Sequence, residues 1–261
     1  MNLTNEEVMK IGVNQQSFPQ YLFKYRADNS HTRKILIKNE LWFCNPLEFN
    51  DPYDCNTPIN TTTPLEDIKK WLLSIGIYKD NIDELATQLK NNPNIISEST
   101  KSVVGGFGIC CFSTLEDSIL QWSHYSDYHK GVCLKFDITL DSDFFMTPLI
   151  VSYRNVMQHY NHIVHQGSIV EYLIRPKFSM WSYESEIRII KDKDLIARSG
   201  SRVFKFKNEA LIEVIFGTNA SDKLISKYKE LCKLYAKSHV KFYKMELANG
   251  YHYGLVKKEL L

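Results

Sequence analysis

The chain has 261 residues, 44% of them hydrophobic and 24% charged, which suits a globular protein with a sizeable core and excludes wholesale disorder. Lys plus Arg is 32 and Asp plus Glu is 30, a formal charge of +2, so only a local basic groove, not a global field, could attract nucleic acid. No apolar run approaches the roughly 20 residues of a membrane span, and Met1 to Lys10 is polar with no leader pattern, so a cytoplasmic protein away from membranes is expected.

Residues 1–20 read as a polar N-terminal helix that ends before Phe18-Pro19. Tyr21 to Arg26 alternates bulky and polar residues and predicts a strand, His31 to Asn39 a helix with Ile35 and Leu36 as its buried edge, and Leu41 to Cys44 a short buried strand. Asn45-Pro46 and Phe49 to Asp54 form a structured loop of turn formers. Residues 56–102 change texture, with Thr, Asn, Lys and Ile prominent and amphipathic stretches at 64–75 and 80–91, and read as a helical insertion on a β-rich body. Gly105-Gly106 leads into a buried strand at Ile109 to Ser113, and Asp117 or Ser118 caps a helix from Ile119 to about Tyr128 that Gly131 closes. Strands are expected at Val132 to Asp137, Leu149 to Tyr153, Tyr183 to Ile190, Val203 to Phe206, Leu211 to Phe216 and Val240 to Leu247, and helices over 155–180 and Asp222 to Ser238. The sum is an α+β fold of one domain, its mixed sheets mainly antiparallel and flanked by helices.

Six cysteines at 44, 55, 110, 111, 133 and 232 include no CxxC pair and read as reduced core thiols. His159, His162 and His165 are regularly spaced, but no Cys or carboxylate pattern accompanies them, so no metal site is assigned.

Three segments carry possible chemistry. On a strand through Tyr183 to Ile190, Glu184, Glu186 and Arg188 share one face; the paired acids suit a base or an acceptor for a sugar hydroxyl, or simply a charged solvent face. Trp122 to Gly131 packs Trp122, His124, Tyr125, Tyr128 and His129 into ten residues. Helical spacing would pair Tyr125 with His129 and His124 with Tyr128, a surface suited to a flat aromatic ligand or to no more than a cap. Asn50 and Asp51 before Pro52 make an Asx-type turn beside Lys24, Tyr25 and Arg26 upstream, which either stays a turn or orders an arginine or a ligand.

The blocks FKYR (23–26), FNDPYD (49–54), CFS (111–113), WSHYSDYHKG (122–131) and WSYESEIR (181–188) together resemble the signatures of a bacterial family of unknown function, found in mobile elements and defence islands. Phe23 replaces the usual first Tyr. More distantly, their order is similar to that of ADP-ribosyltransferases. That resemblance implies an ADP-ribosyltransferase-like fold and NAD as substrate. It implies Arg26 as the first-strand basic residue, with Lys24 where relatives carry His, Ser113 as the second-strand Ser, Glu186 as catalytic Glu and Glu184 two positions before it. Tyr125 or Tyr128 would stack on nicotinamide. The acceptor of ADP-ribose would be a protein or nucleic acid, and the role that of a toxin or phage-defence effector. Two other classes stay open. A metal-dependent nuclease would gather Asp51, Asp54, Glu184 and Glu186 around Mg²⁺. A non-catalytic nucleotide- or partner-binding module would pair Glu184 and Glu186 with Arg188 and Lys177 in water.

Overall fold

Apolar runs along the central strands and a side-chain cap at most helix starts set the local structure of the computed structural model, which describes residues 3–77, 81–165, 167–250 and 252–260. The first positions of the helices expected over 1–20 and 80–91 lie outside those residues. The elements run α1 (Asn5–Asn14), β1 (Tyr21–Arg26), α2 (Ser30–Lys38), β2 (Glu40–Trp42), α3 (Leu65–Ser74), α4 (Ile82–Asn91), α5 (Pro93–Gly106), β3 (Gly108–Ser113), α6 (Ile119–Tyr125) and β4 (Val132–Asp137). They continue with β5 (Leu149–Ile150), β6 (Ser152–Arg154), β7 (Pro176–Phe178), β8 (Glu186–Lys191), α7 (Lys193–Ser199), β9 (Val203–Lys205), β10 (Leu211–Phe216), α8 (Asp222–Leu234), β11 (Lys241–Leu247) and β12 (Leu255–Glu259).

The main sheet has the order β12-β11-β10-β4-β1-β3-β8-β5 and is antiparallel except where β10 and β11 run parallel, joined by the α8 crossover. Helices flank it, so the fold is α+β with a mixed, mostly antiparallel sheet. Both faces are covered. Leu22, Leu36, Phe136, Val214 and Phe216 pack with Tyr228 of α8 on one side, and Phe23, Tyr25, Cys133 and Ile215 pack with Trp122 of α6 on the other. This two-sided burial explains why Val132–Asp137 reads as a nearly continuous apolar run. Helices α3, α4 and α5 share a separate cluster of Ile68, Leu72, Ala86 and Ile96 with Ile163.

One irregularity creates the site. β1 pairs with β4 along its whole length, and β3 does the same with β8, yet β1 and β3 are in register only at Phe23 and Ser113. Beyond that pair the central strands diverge, and Lys24 Nζ reaches across to donate to the Cys111 carbonyl at 2.8 Å.

Several expectations are corrected. Residues 155–180 are not a helix: they hold β7, a π-helical stretch Val170–Ile174 and the start of a 3₁₀ stretch Ser179–Glu184. Pro176 has no N–H to continue a helix and opens β7 instead. His162 bonds the Tyr160 hydroxyl and His165 Nδ1 accepts from the Asn161 amide, so these rings knit their own loop. The segment 56–102 contains a third helix, α5, which runs through Gly105 and Gly106; α7 and β12 are also unforeseen. Helix α6 stops at Tyr125, because Asp127, Tyr128 and His129 all take left-handed backbone angles of +46°, +52° and +66°. That turn is wedged between glycines: a Cβ on Gly131 would lie 2.3 Å from the Arg26 carbonyl oxygen, and one on Gly217 would lie 2.1 Å from that of His129. The expected ring pairs Tyr125–His129 and His124–Tyr128 therefore do not form along a helix, and Tyr128 is 72% exposed. All six cysteines are free. Among the described residues no helix is long and apolar enough to cross a membrane.

Candidate functional site

The site is assembled where β1 and β3 part. Strand β8 begins only at Glu186, after Ser185 has turned the chain with a φ of +46°. Glu184 therefore enters from the 3₁₀ turn and not from the strand face on which the sequence pattern put it. Ser113, at the end of β3, fixes that turn: its Oγ donates to the Glu184 carbonyl at 2.7 Å and accepts from Gln121 Nε2 at 2.8 Å and from the Leu115 amide at 3.0 Å.

Behind Glu186 lies an interior charge network. Arg188 has no exposed surface; its Nε donates to Glu186 Oε1 at 2.8 Å, its Nη2 to both Asp54 oxygens at 2.8 and 2.7 Å, and its Nη1 to the Ile174 carbonyl at 2.5 Å. In front, the Lys177 ammonium lies 2.5 Å from Glu184 Oε2, 2.8 Å from Glu186 Oε2 and 3.4 Å from Asp54 Oδ2. Tyr125 donates its hydroxyl to Glu184 Oε1 at 2.5 Å, and the Glu186 amide donates to the Tyr153 hydroxyl at 2.8 Å.

These neighbours push the two acids apart. Burial alone would raise Glu186, but the Arg188 guanidinium and then Lys177 outweigh it and hold the carboxyl well below the usual range. At Glu184 burial wins over Lys177 and the carboxyl titrates above its ordinary value. Lys177 is held protonated by Glu186, Asp54 and Glu184 against its own burial, and the Tyr125 hydroxyl is pushed up by burial and by Glu184. Three carboxylates against two cations leave this cluster with one formal negative charge.

Lys24, Arg26, Asn50, Ser113, Tyr125, Glu184 and Glu186 line a single cavity of about 300 Å³. The other candidates do not reach it. Arg188 is sealed behind Glu186 with its nitrogens occupied, so it orders the acids and cannot bind substrate. Asp51 accepts from the Tyr53 amide at 2.9 Å and stays an Asx turn, and Tyr128 faces away. Trp122 is fully buried, edge-on to Tyr25 at 5.1 Å, with Nε1 donating to the Glu116 carbonyl. His129 stacks on Trp122 and bonds Ser123 Oγ, and His124 bonds the Tyr183 hydroxyl at 3.1 Å. The aromatic block thus anchors α6 and its turn, and only Tyr125 among its expected ligand contacts reaches the cavity.

Asp54, a candidate metal ligand in the sequence, lines the cavity too, as do Phe49 and Gln121, which are not candidates there, and Lys177, expected only as a water-facing partner of the acids. The signal for Asp54 is present in FNDPYD; for Lys177 and Gln121 there is none in a local window. Of the four carboxylates expected around a metal, Asp54, Glu184 and Glu186 converge, but on the Lys177 ammonium, and Asp51 stands apart. The acids also do not face water, as a non-catalytic module would have them: Glu186 is 3% exposed. Among the described residues no group of His, Cys, Asp or Glu is arranged to hold a metal ion. Comparison of the chain with protein-family models, curated proteins and solved structures gives no match.

Proposed function

We propose that this cleft binds NAD and that the protein is an ADP-ribosyltransferase-like enzyme, which cleaves the nicotinamide–ribose bond and passes ADP-ribose to a macromolecular acceptor, protein or nucleic acid. The observation that carries the reading is the pairing, in one cavity, of a Glu186 held ionised with an Arg26 guanidinium that has no acidic partner among the described residues. Cleaving an N-glycosidic bond builds positive charge on a ribose carbon. A fixed carboxylate in a cluster with net negative charge favours that state, and Arg188 and Lys177 hold it in place in advance. Glu184 titrates higher and touches Tyr125, which suits it to take a proton from an acceptor nucleophile. Lys24 and Arg26 supply the cations that a pyrophosphate needs. The toxin or phage-defence role belongs to this same reading.

The test is release of nicotinamide from NAD by the full chain, with a cell lysate present as a source of acceptors. Wild type releases nicotinamide and Glu186→Gln loses at least about a hundredfold in rate, the scale of a removed electrostatic stabiliser. Equal rates from wild type and Glu186→Gln, or no NAD binding by the wild type, would refute the reading.

A further inference from the structure

The ribbon of β6 and β7 separates two cavities. Its residues pair in register as Ser152–Pro176, Tyr153–Lys177 and Arg154–Phe178, and side chains alternate along a strand. Tyr153 and Lys177 turn to the acids, where the Tyr153 hydroxyl accepts from the Glu186 amide and the Lys177 ammonium meets the Glu186 carboxylate. Arg154 and Phe178 fall on the other side by that alternation and line a second cavity of about 210 Å³ with Tyr53, Thr57 and Met157.

This cavity has an apolar body and one open charge. Phe178 is 47% exposed and Tyr53 58%, two rings left in water at its rim. No Asp or Glu lines it, and Lys177 reaches it with its ammonium already held by three carboxylates of the first cavity. Arg154 is different. Its Nε donates to Ser152 Oγ at 3.2 Å, which restrains the fork, and among the described residues its two terminal nitrogens have no partner. Of the arginines that are buried or half-buried, Arg33 is held by Asp28, Arg175 by Glu171, Arg188 by Asp54 and Glu186, and Arg202 by the Gly105 and Phe107 carbonyls. Arg26 and Arg154 alone among them are left open, and each lines a cavity. Thr57 adds to the same wall a buried hydroxyl with no hydrogen-bond partner, a group that costs stability until an acceptor reaches it.

We propose that this second cavity binds a small aromatic carboxylic acid, its carboxylate on the Arg154 fork and its ring among Phe178, Tyr53 and Met157. A guanidinium meets a carboxylate through two parallel hydrogen bonds, one unit charge against one. A phosphate ester would instead bring close to two negative charges to a single open cation, with Asp54, Glu184 and Glu186 just across the ribbon. The volume lies below the roughly 300–1,000 Å³ of drug-sized sites, which limits the ligand to about one ring. Binding here needs neither NAD nor an acceptor and stands whether or not NAD is cleaved.

Isothermal titration calorimetry of the full chain with benzoate, phenylacetate and hydrocinnamate tests the site. At least one of these acids binds saturably, and its carboxamide and phenyl phosphate bind at least about tenfold more weakly. Arg154→Gln weakens that acid at least about tenfold, Tyr53→Ala at the exposed rim weakens it at least about threefold, and Arg26→Gln in the first cavity leaves it within about twofold. Because Arg154 bonds nothing outside its own strand, its variant should melt with wild type, so lost binding is not lost fold. No saturable binding of any of the acids up to about 10 mM, affinity unchanged in Arg154→Gln or in Tyr53→Ala, or a carboxamide or phenyl phosphate that binds as well as the acid overturns the proposal. So does a loss in Arg26→Gln with none in Arg154→Gln, which would put the acid in the first cavity. An acid that binds through Arg154 in a protein that releases no nicotinamide upholds this site while removing the NAD chemistry.

Discussion

Lys177 is the residue whose removal the site should tolerate least. Its ammonium is the shared partner of Glu184, Glu186 and Asp54, at 2.5, 2.8 and 3.4 Å, and its side chain is only 8% exposed. Lys177→Met keeps a chain of similar length but leaves three buried carboxylates with Arg188 as their one remaining cation. Breaking a buried ion pair by removing one partner costs about 3–5 kcal/mol, because the other charge stays desolvated and uncompensated. At about 2 °C per kcal/mol for a chain of this length, that cost lowers Tm by roughly 6–10 °C. Circular dichroism melts at pH 7 and pH 5 measure it. The deficit should shrink at the lower pH, since a proton taken up by an acid in the variant replaces the missing positive charge. In a double-mutant cycle, Glu184→Gln should recover part of the loss, with a coupling of at least about 1 kcal/mol. A Lys177→Met protein that melts within about 2 °C of wild type at pH 7 would refute the description of these acids as buried and dependent on the lysine.

Glu186 titrates below its ordinary value near 4.5, so the stability it contributes is complete above that pH and drains away as pH falls below it. Urea midpoints measured downward from pH 5 should therefore fall in wild type and flatten in Glu186→Gln. Glu184 works in the opposite direction, since its raised value favours the fold at low pH and costs stability as pH rises above 4.5; Glu184→Gln should remove that cost, seen as a smaller change in urea midpoint between pH 4.5 and pH 7. Ser113→Ala leaves the buried Glu184 carbonyl, the Leu115 amide and the Gln121 amide group without their shared hydroxyl, and should lower stability by about 1–3 kcal/mol by chemical denaturation. Gly131→Ala drives a methyl against the Arg26 carbonyl, a backbone atom that cannot swing aside, and should cost about 1–3 kcal/mol or more; a melt unchanged from wild type would disprove the close packing of that turn.

Tyr21–Arg26, Val132–Asp137 and Leu211–Phe216 are strands with the bounds that alternation and apolar runs suggest, and Ser118 caps α6 through the Gln121 amide. The segments that misled carry locally persuasive patterns overruled from a distance. Tyr183 to Ile190 alternates like one strand, yet Ser113, 71 residues from Glu184, holds the turn that bends its first part away. The helix after Ile119 is cut short by contacts of Gly131 and Gly217 with other backbone, and Arg188 reads as part of a charged strand face until Asp54, 134 residues away, closes over it.

By itself the sequence determined the central strands β1, β3, β4 and β10, the cap of α6 and the presence of paired acids near residue 185, because side-chain period and capping depend on neighbours a few positions apart. Tertiary structure alone decided that β1 and β3 diverge after Phe23, that Lys177 sits among three acids, and that Arg26 has no ion pair among the described residues. Those outcomes follow from burial and from distances between groups remote in the chain, and the energy of a charge depends on both, neither of which any short window of residues contains.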